Sequence, residues 1–296
     1  MAAFEPSRNR AKGTKGQDMK FFKMNGCGNA FVIFDARGRG EALKLSPAQA
    51  RAVADPARGE GCDQIIAMED AGPGADVFMR IWNADGSEVS ACGNATRCAA
   101  WLLIRETGRG AAAIQTSAGL LRASQAQDGQ VSVDMGPPRL DWQAIPLAER
   151  MDTRGIDIKV GPIDAPILSL PGAVNMGNPH AVFFVKDLET VAVEKIGALL
   201  EHHPLFPQGA NIGFAQVLAD DAIRLRVWER GAGLTRACGT GACAALVACA
   251  HRHLAGRKAR LILDGGTLII EWRERDGHVI MTGPVELEHE GELPGF

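Results

Sequence analysis

Apolar and polar residues alternate with a period of two along residues 76–86, "DVFMRIWNADG", and again along 222–233, "AIRLRVWERGAG". That period predicts a strand with one buried face in each stretch. Each strand leads into a run of small apolar residues too long for a strand, 94–108 "NATRCAAWLLIRETG" and 240–256 "TGACAALVACAHRHLAG". These predict helices, ended by Gly108 and Gly256. Earlier apolar runs, 20–36 "KFFKMNGCGNAFVIFDA" and 172–185 "GAVNMGNPHAVFFV", predict one early strand in each half, ending near Asn and Gly. "SPAQARAVADP" (46–56) predicts a helix capped by Ser46 with Pro47 at its first position. "ETVAVEKIGALLEHH" (189–203) predicts its counterpart. Strands with Asp-Gly or Gly-Gly turns close both halves, at 120–135 and 260–281. The pattern is α+β and mainly antiparallel. The Ala- and Cys-rich helices are slim enough for a sheet to wrap around each.

The two sets of elements are copies. Residues 77–94 and 223–240 align without a gap, Arg80 on Arg226, Trp82 on Trp228, Cys92 on Cys238 and Gly93 on Gly239. Residues 131–137 resemble 278–284, and 28–34 resemble 177–184, in the same order and at nearly the same offset. Two pseudo-symmetric halves follow, 19–138 and 139–283. Residues 1–18, polar and mildly basic, read as a flexible extension.

Composition narrows the class. The chain has 296 residues and a formal net charge of -3, too small to imply a nucleic-acid or membrane partner. Its apolar runs are too short for a membrane span. The seven cysteines are odd in number and no signal peptide precedes them, which favours a reducing cytoplasm over a disulfide scaffold. Their spacings are not those of a zinc site, so no metal is expected.

Cys92-Gly93 and Cys238-Gly239 each stand at a strand-to-helix junction. Unpaired helical N–H groups there favour anions, so each thiol is expected to ionise below its usual pKa of about 8.5. The same donors can hold a carboxylate, and the glycine lets it approach. A lone buried cysteine is usually a small hydrophobe, which is the reading for Cys27, Cys62, Cys98, Cys243 and Cys249. The duplication separates Cys92 and Cys238 from these. Paired about an approximate two-fold axis, they would face each other across one cleft. Two matched acid–bases on opposite faces of one carbon suit racemisation or epimerisation.

The motifs "FKMNGCGNAF", "NADGSEVSACGNATRC", "MGNPHAVFF" and "ERGAGLTRACGTGACAA" resemble those of the diaminopimelate epimerase family, over about residues 19–291. The resemblance implies two domains, each a mixed sheet curled around a central helix, with a last strand (about 284–296) returning to the first. It implies Cys92 and Cys238 as acid–bases acting without pyridoxal phosphate or metal. It also implies substrate contacts at Asn29, Gln64, Asn83, Asn178, Asn211, Glu229 and Arg230. Backbone around Gly93, Asn94, Gly239 and Thr240 would bind a carboxylate, and His180 and Glu229 would help to poise the cysteines. Conversion of LL- to meso-diaminopimelate, a small-molecule amino-acid substrate, by a cytoplasmic homodimer is implied as well. Three residues depart from the family pattern: Ala30 for Asp, Ala95 for Gly and Leu234 for Glu. Ala95 is expected to add a methyl beside the carboxylate site. Three readings compete: a proline racemase-like enzyme of the same fold, a non-catalytic binding protein, and a redox protein joining Cys92 to Cys238.

Overall fold

The computed structural model describes residues 18–90 and 92–294. The expected extension therefore lies, but for Asp18, outside the described residues. Each apolar run read as one early strand is instead a hairpin. Met19–Gly26 pairs antiparallel with Asn29–Asp35, and Gly172–Asn175 with Pro179–Phe184. In the first, Cys27 and Gly28 both take positive φ, 63° and 82°. Two successive positive φ values make a tight hairpin turn, and Asn25 Oδ1 accepts the Gly28 N–H at 2.8 Å.

From these hairpins the two halves run through the same series of pairings. Asn29–Asp35 pairs parallel with Gln64–Glu69, which pairs antiparallel with Val77–Asn83. That strand pairs parallel with Ala111–Thr116, followed by antiparallel Gly119–Gln125 and Val131–Asp134. In the second half Pro179–Phe184 pairs parallel with Asn211–Ala219, and that strand antiparallel with Ala222–Glu229. Ala222–Glu229 pairs parallel with Lys258–Leu263, followed by antiparallel Gly266–Trp272 and Val279–Gly283. The closing strands Val131–Asp134 and Val279–Gly283 pair with each other and join the halves. Glu286–Leu293 then pairs with Met19–Gly26.

Parallel neighbours need a crossover, and each is spanned by a helix: α1 (Pro47–Ala54), α2 (Gly93–Thr107), α3 (Val193–Leu200) and α4 (Gly239–His251). α1 carries the Ser46 cap, with the Gln49 side chain reaching back to the Ser46 N–H. α2 ends at Gly108 in the left-handed conformation. α4 stops five residues before Gly256, because His253 takes the positive φ and Gly256 donates instead to the Asp220 carbonyl. α3 is shorter than the apolar pattern of 189–203, since Leu188–Thr190 forms a separate 3₁₀ turn.

α2 and α4 are the centres of the halves. α4 is apolar on all sides, the mark of an enclosed helix, and its Ala242–Cys249 segment is buried throughout. Both helices share one core cluster with strands of both halves. Two further clusters lie under α1 and α3. Each buried Leu, Ile or Val there stabilises the fold by about 1.5–3 kcal/mol. Among the described residues no helix is long and apolar enough to cross a membrane.

Candidate active site

Cys92 and Cys238 are the N-cap residues of α2 and α4, both in extended backbone conformation. The helices begin side by side. A Cβ on Gly93 would lie 2.6 Å from Met281 Cε, and one on Gly239 would lie 2.9 Å from Met281 Sδ and 3.3 Å from Asn94 Oδ1. Glycine at both positions is therefore a packing requirement as well as a means of exposing N–H groups. At Cys238 the sulfur accepts the Gly241 N–H at 3.3 Å and lies 3.6 Å from Thr240 Oγ1. At Cys92 the helix start is fixed by Thr96, whose hydroxyl donates to the Cys92 carbonyl at 2.8 Å.

The thiol pKa values run against the sequence expectation. Burial pushes Cys92 up to about 11, and the Ala95 and Asn94 N–H groups only partly offset it. Cys238, 3 % exposed, is raised well above the usual thiol range, first by burial and then by the charge of Glu229. The N-terminal donors are present, but desolvation of a thiolate outweighs them. Glu229 acts on both cysteines, its charge adding to the effect of burial in raising Cys92 and Cys238. Burial raises the Glu229 pKa, opposed chiefly by the hydrogen bond from Thr235. Thr235 Oγ1 donates to Glu229 Oε1 at 2.5 Å.

The remaining sequence-predicted residues fall into three groups. Asn29 joins the helix starts directly, its Oδ1 accepting from Asn94 Nδ2 at 2.6 Å. Gln64 and Asn83 face each other on adjacent strands, Gln64 Nε2 donating to Asn83 Oδ1 at 3.1 Å. His180, Asn178, Asn211 and Arg230 form the third group. His180 is 1 % exposed, bonds to Asn178 Oδ1 through Nε2 at 2.9 Å, and pairs in register with Asn211. Burial, followed by the Arg230 charge, lowers its pKa to about 3, so the imidazole is neutral. Asn211 accepts the Arg230 N–H at 3.0 Å and donates to the Pro179 carbonyl at 2.9 Å. The Arg230 guanidinium rests on the Gln208 carbonyl at 2.5 Å. Arg230 and Glu229, adjacent in sequence, thus turn to different partners.

The departures also have places. The Ala30 N–H donates to the Asp63 carboxylate at 2.8 Å, so an acidic group stands beside this position after all. Ala95 is fully buried in the shared core rather than part of an open wall. Leu234 packs against the cluster under α3, opposite Trp228. Sequence reasoning missed Asp63, Thr235 and Arg97. Only Arg97 carried a signal, its i+3 spacing from Asn94 on the first turns of a helix. A surface concavity of about 770 Å³ lined by Arg257, Trp272 and Arg273 holds none of the site residues.

The family described as "Diaminopimelate epimerase" matches residues 21–140 and 172–288. The diaminopimelate epimerase of Phenylobacterium zucineum (strain HLK1) is 57% identical over 274 residues, covering 93% of this chain and 97% of that protein. That of Caulobacter vibrioides (strain NA1000 / CB15N) is 54% identical over 281 residues, with 93% and 97% covered. Among solved structures, a hydroxyproline epimerase from Agrobacterium vitis superimposes with a TM-score of 0.69 at 16% identity, covering 96% of this chain and 93% of that one. At that identity the likeness is one of fold.

Proposed function

The chain belongs to the diaminopimelate epimerase family, and from that premise we propose that it interconverts LL- and meso-2,6-diaminopimelate, with Cys92 and Cys238 as the two acid–bases. The observation that carries this reading is the meeting of the two Cys-Gly junctions, where a Cβ on Gly239 would touch Asn94. One cysteine, as thiolate, takes the α-proton. The electron pair left on carbon is delocalised into the substrate carboxylate, which the N–H groups at Gly93–Asn94 and Gly239–Thr240 stabilise. The other cysteine, as thiol, delivers its proton to the opposite face. The proton count balances, and the two residues end with their states exchanged. Those N–H groups at the helix starts stand in for an electron sink, so the proposed reaction uses neither pyridoxal phosphate nor metal.

Glu229 and His180 support the pair, Glu229 by its charge beside Cys238 and His180 as a neutral imidazole beside Asn178. Asn29, Gln64, Asn83, Asn178, Asn211 and Arg230 make up the rest of the amino-acid site. Asn211 acts by fixing the backbone of Arg230. Residues 19–138 with the returning strand, and 139–283, are the two halves. The same reading makes the protein a cytoplasmic homodimer that acts in lysine and peptidoglycan precursor synthesis.

The test is hydrogen exchange by the reduced protein in heavy water. LL-diaminopimelate is expected to gain deuterium at one α-carbon as meso product forms. No exchange would sink the proposal. Exchange into L-proline in place of diaminopimelate would transfer it to the proline racemase-like reading.

A further inference from the structure

Arg97 lies on α2 just over one turn past Cys92 and is 0 % exposed. Its Nη1 donates to Asn94 Oδ1 at 2.9 Å and approaches Met281 Sδ at 3.5 Å. Its Nε and Nη2 have no hydrogen-bond partner among the described residues. Its ionisable neighbours are the thiols of Cys27, Cys92, Cys98 and Cys243. Gly283 leaves room for it, since a Cβ there would lie 3.2 Å from its Cζ and Nε. A buried guanidinium with one good hydrogen bond is costly, and a methionine would fill much of the same space without that cost.

The one bond has a direction. Arginine only donates, whereas an asparagine carboxamide accepts at one end and donates at the other. Arg97 therefore holds the Asn94 oxygen toward itself and the start of α4, and its NH₂ toward Asn29. That NH₂ donates to Asn29 Oδ1 at 2.6 Å, which turns Asn29 the same way. Asn29 Nδ2 then lies 3.5 Å from the Asp63 carboxylate, an acceptor. The row starts at a group that can only donate and ends at one that, ionised, can only accept. Neither carboxamide can flip without setting like against like.

We propose that Arg97 is a positioning residue that locks the carboxamides of Asn94 and Asn29 in one orientation, so that the start of α2 and the Asn29 side chain keep a fixed geometry for the ligand. This rests on reading the site as an amino-acid site. Without Arg97 both amides can turn and that geometry is lost.

Steady-state kinetics on LL-diaminopimelate test it in Arg97→Met, Arg97→Lys and Asn94→Asp. Losing a hydrogen bond to a charged group raises KM by roughly tenfold to a hundredfold in Arg97→Met. Arg97→Lys, which still donates to Asn94, is expected within about threefold of the parent. Asn94→Asp keeps an acceptor for Arg97 but loses the donor to Asn29, so the row breaks at its middle and KM rises. An unchanged KM in folded Arg97→Met, or Arg97→Lys as impaired as Arg97→Met, would overturn the proposal. Should Arg97→Met not fold, a parental KM in Asn94→Asp overturns it. A ligand-free cycle separates this from failure of the amino-acid reading. Asn29→Ala should lower the melting temperature less in the Arg97→Met background than in the parent, with Asn94→Asp as the background if Arg97→Met does not fold. Equal losses in both backgrounds refute the locked row whatever the substrate.

Discussion

The Glu229 carboxylate, which accepts from Thr235 Oγ1 at 2.5 Å, raises the pKa of the Cys238 thiol on top of the larger effect of burial. The pair thus stores the proton on sulfur in the resting protein and keeps an acceptor beside it. In the proposed reaction Glu229 takes that proton when substrate calls for a thiolate. Glu229→Gln keeps the shape and removes the base. Turnover is expected to fall by ~10²–10⁴-fold. Alkylation of Cys238 by iodoacetamide in the ligand-free variant, followed by peptide mass, should become faster, because no carboxylate opposes the thiolate. Both rates falling together would refute this role.

Cys92 makes a second expectation from the same electrostatics. With its pKa raised to about 11 by burial, it is a thiol through neutral pH. Below that pKa the thiolate fraction grows about tenfold per pH unit. Alkylation of Cys92 in the ligand-free protein should climb at that slope from pH 7 to 10. A plateau near neutrality would show a thiol already ionised, as the sequence alone suggested.

Removing either sulfur should end epimerisation, since inversion needs a group on each face. Cys92→Ala and Cys238→Ala are each expected to lose ~10³-fold or more in rate, in the range of lost acid–base groups, with folding retained. Mixing the two variants should restore nothing, because both helix starts belong to one chain. Recovery on mixing would mean that the site is shared between copies.

The repeat was the most legible feature in the sequence. Trp82 on Trp228 and Cys92 on Cys238 announced two halves, and the six matched pairings in each bear that out. The hairpin at Cys27-Gly28 was hidden because an unbroken apolar run shows no period that separates one long strand from two short ones. The raised thiol pKa values are not legible in the sequence, for a different reason. Helix-start donors can be seen in a sequence, whereas the burial that outweighs them exists only after packing. Nothing in the sequence beyond its spacing from Asn94 marks Arg97, because an arginine on a helix is ordinarily a solvated one; here it is fully buried.

Gly239 tests the closeness of the helix starts. Gly239→Ala would place a methyl 2.9 Å from Met281 Sδ and 3.3 Å from Asn94 Oδ1. Overpacking of this kind costs about 1–3 kcal/mol, and spreading the junctions should also cut turnover. Gly72→Ala, whose Cβ meets nothing within 4 Å, is the control and should leave both unchanged. Denaturant unfolding and turnover of the two variants decide it, and a fully active Gly239→Ala would place the ligand elsewhere.

His180 gives the fold a dependence on pH. In the folded chain burial and Arg230 hold its pKa at about 3, while in the unfolded chain it titrates near 6.5. Between those values the unfolded state binds a proton that the folded state refuses. Stability from this residue is therefore intact above pH 6.5 and falls as the pH drops. The slope is about 1.4 kcal/mol per unit, or about 2 kcal/mol between pH 6.5 and 5. His180→Asn removes the titrating group, so urea unfolding at pH 7, 6 and 5 should show a shallower decline than in the parent. The Nδ1 atom of His180, without a partner among the described residues, is what the added proton would occupy. If the two curves run parallel, His180 is protonated in the folded protein, and its place as a neutral partner of Asn178 is wrong.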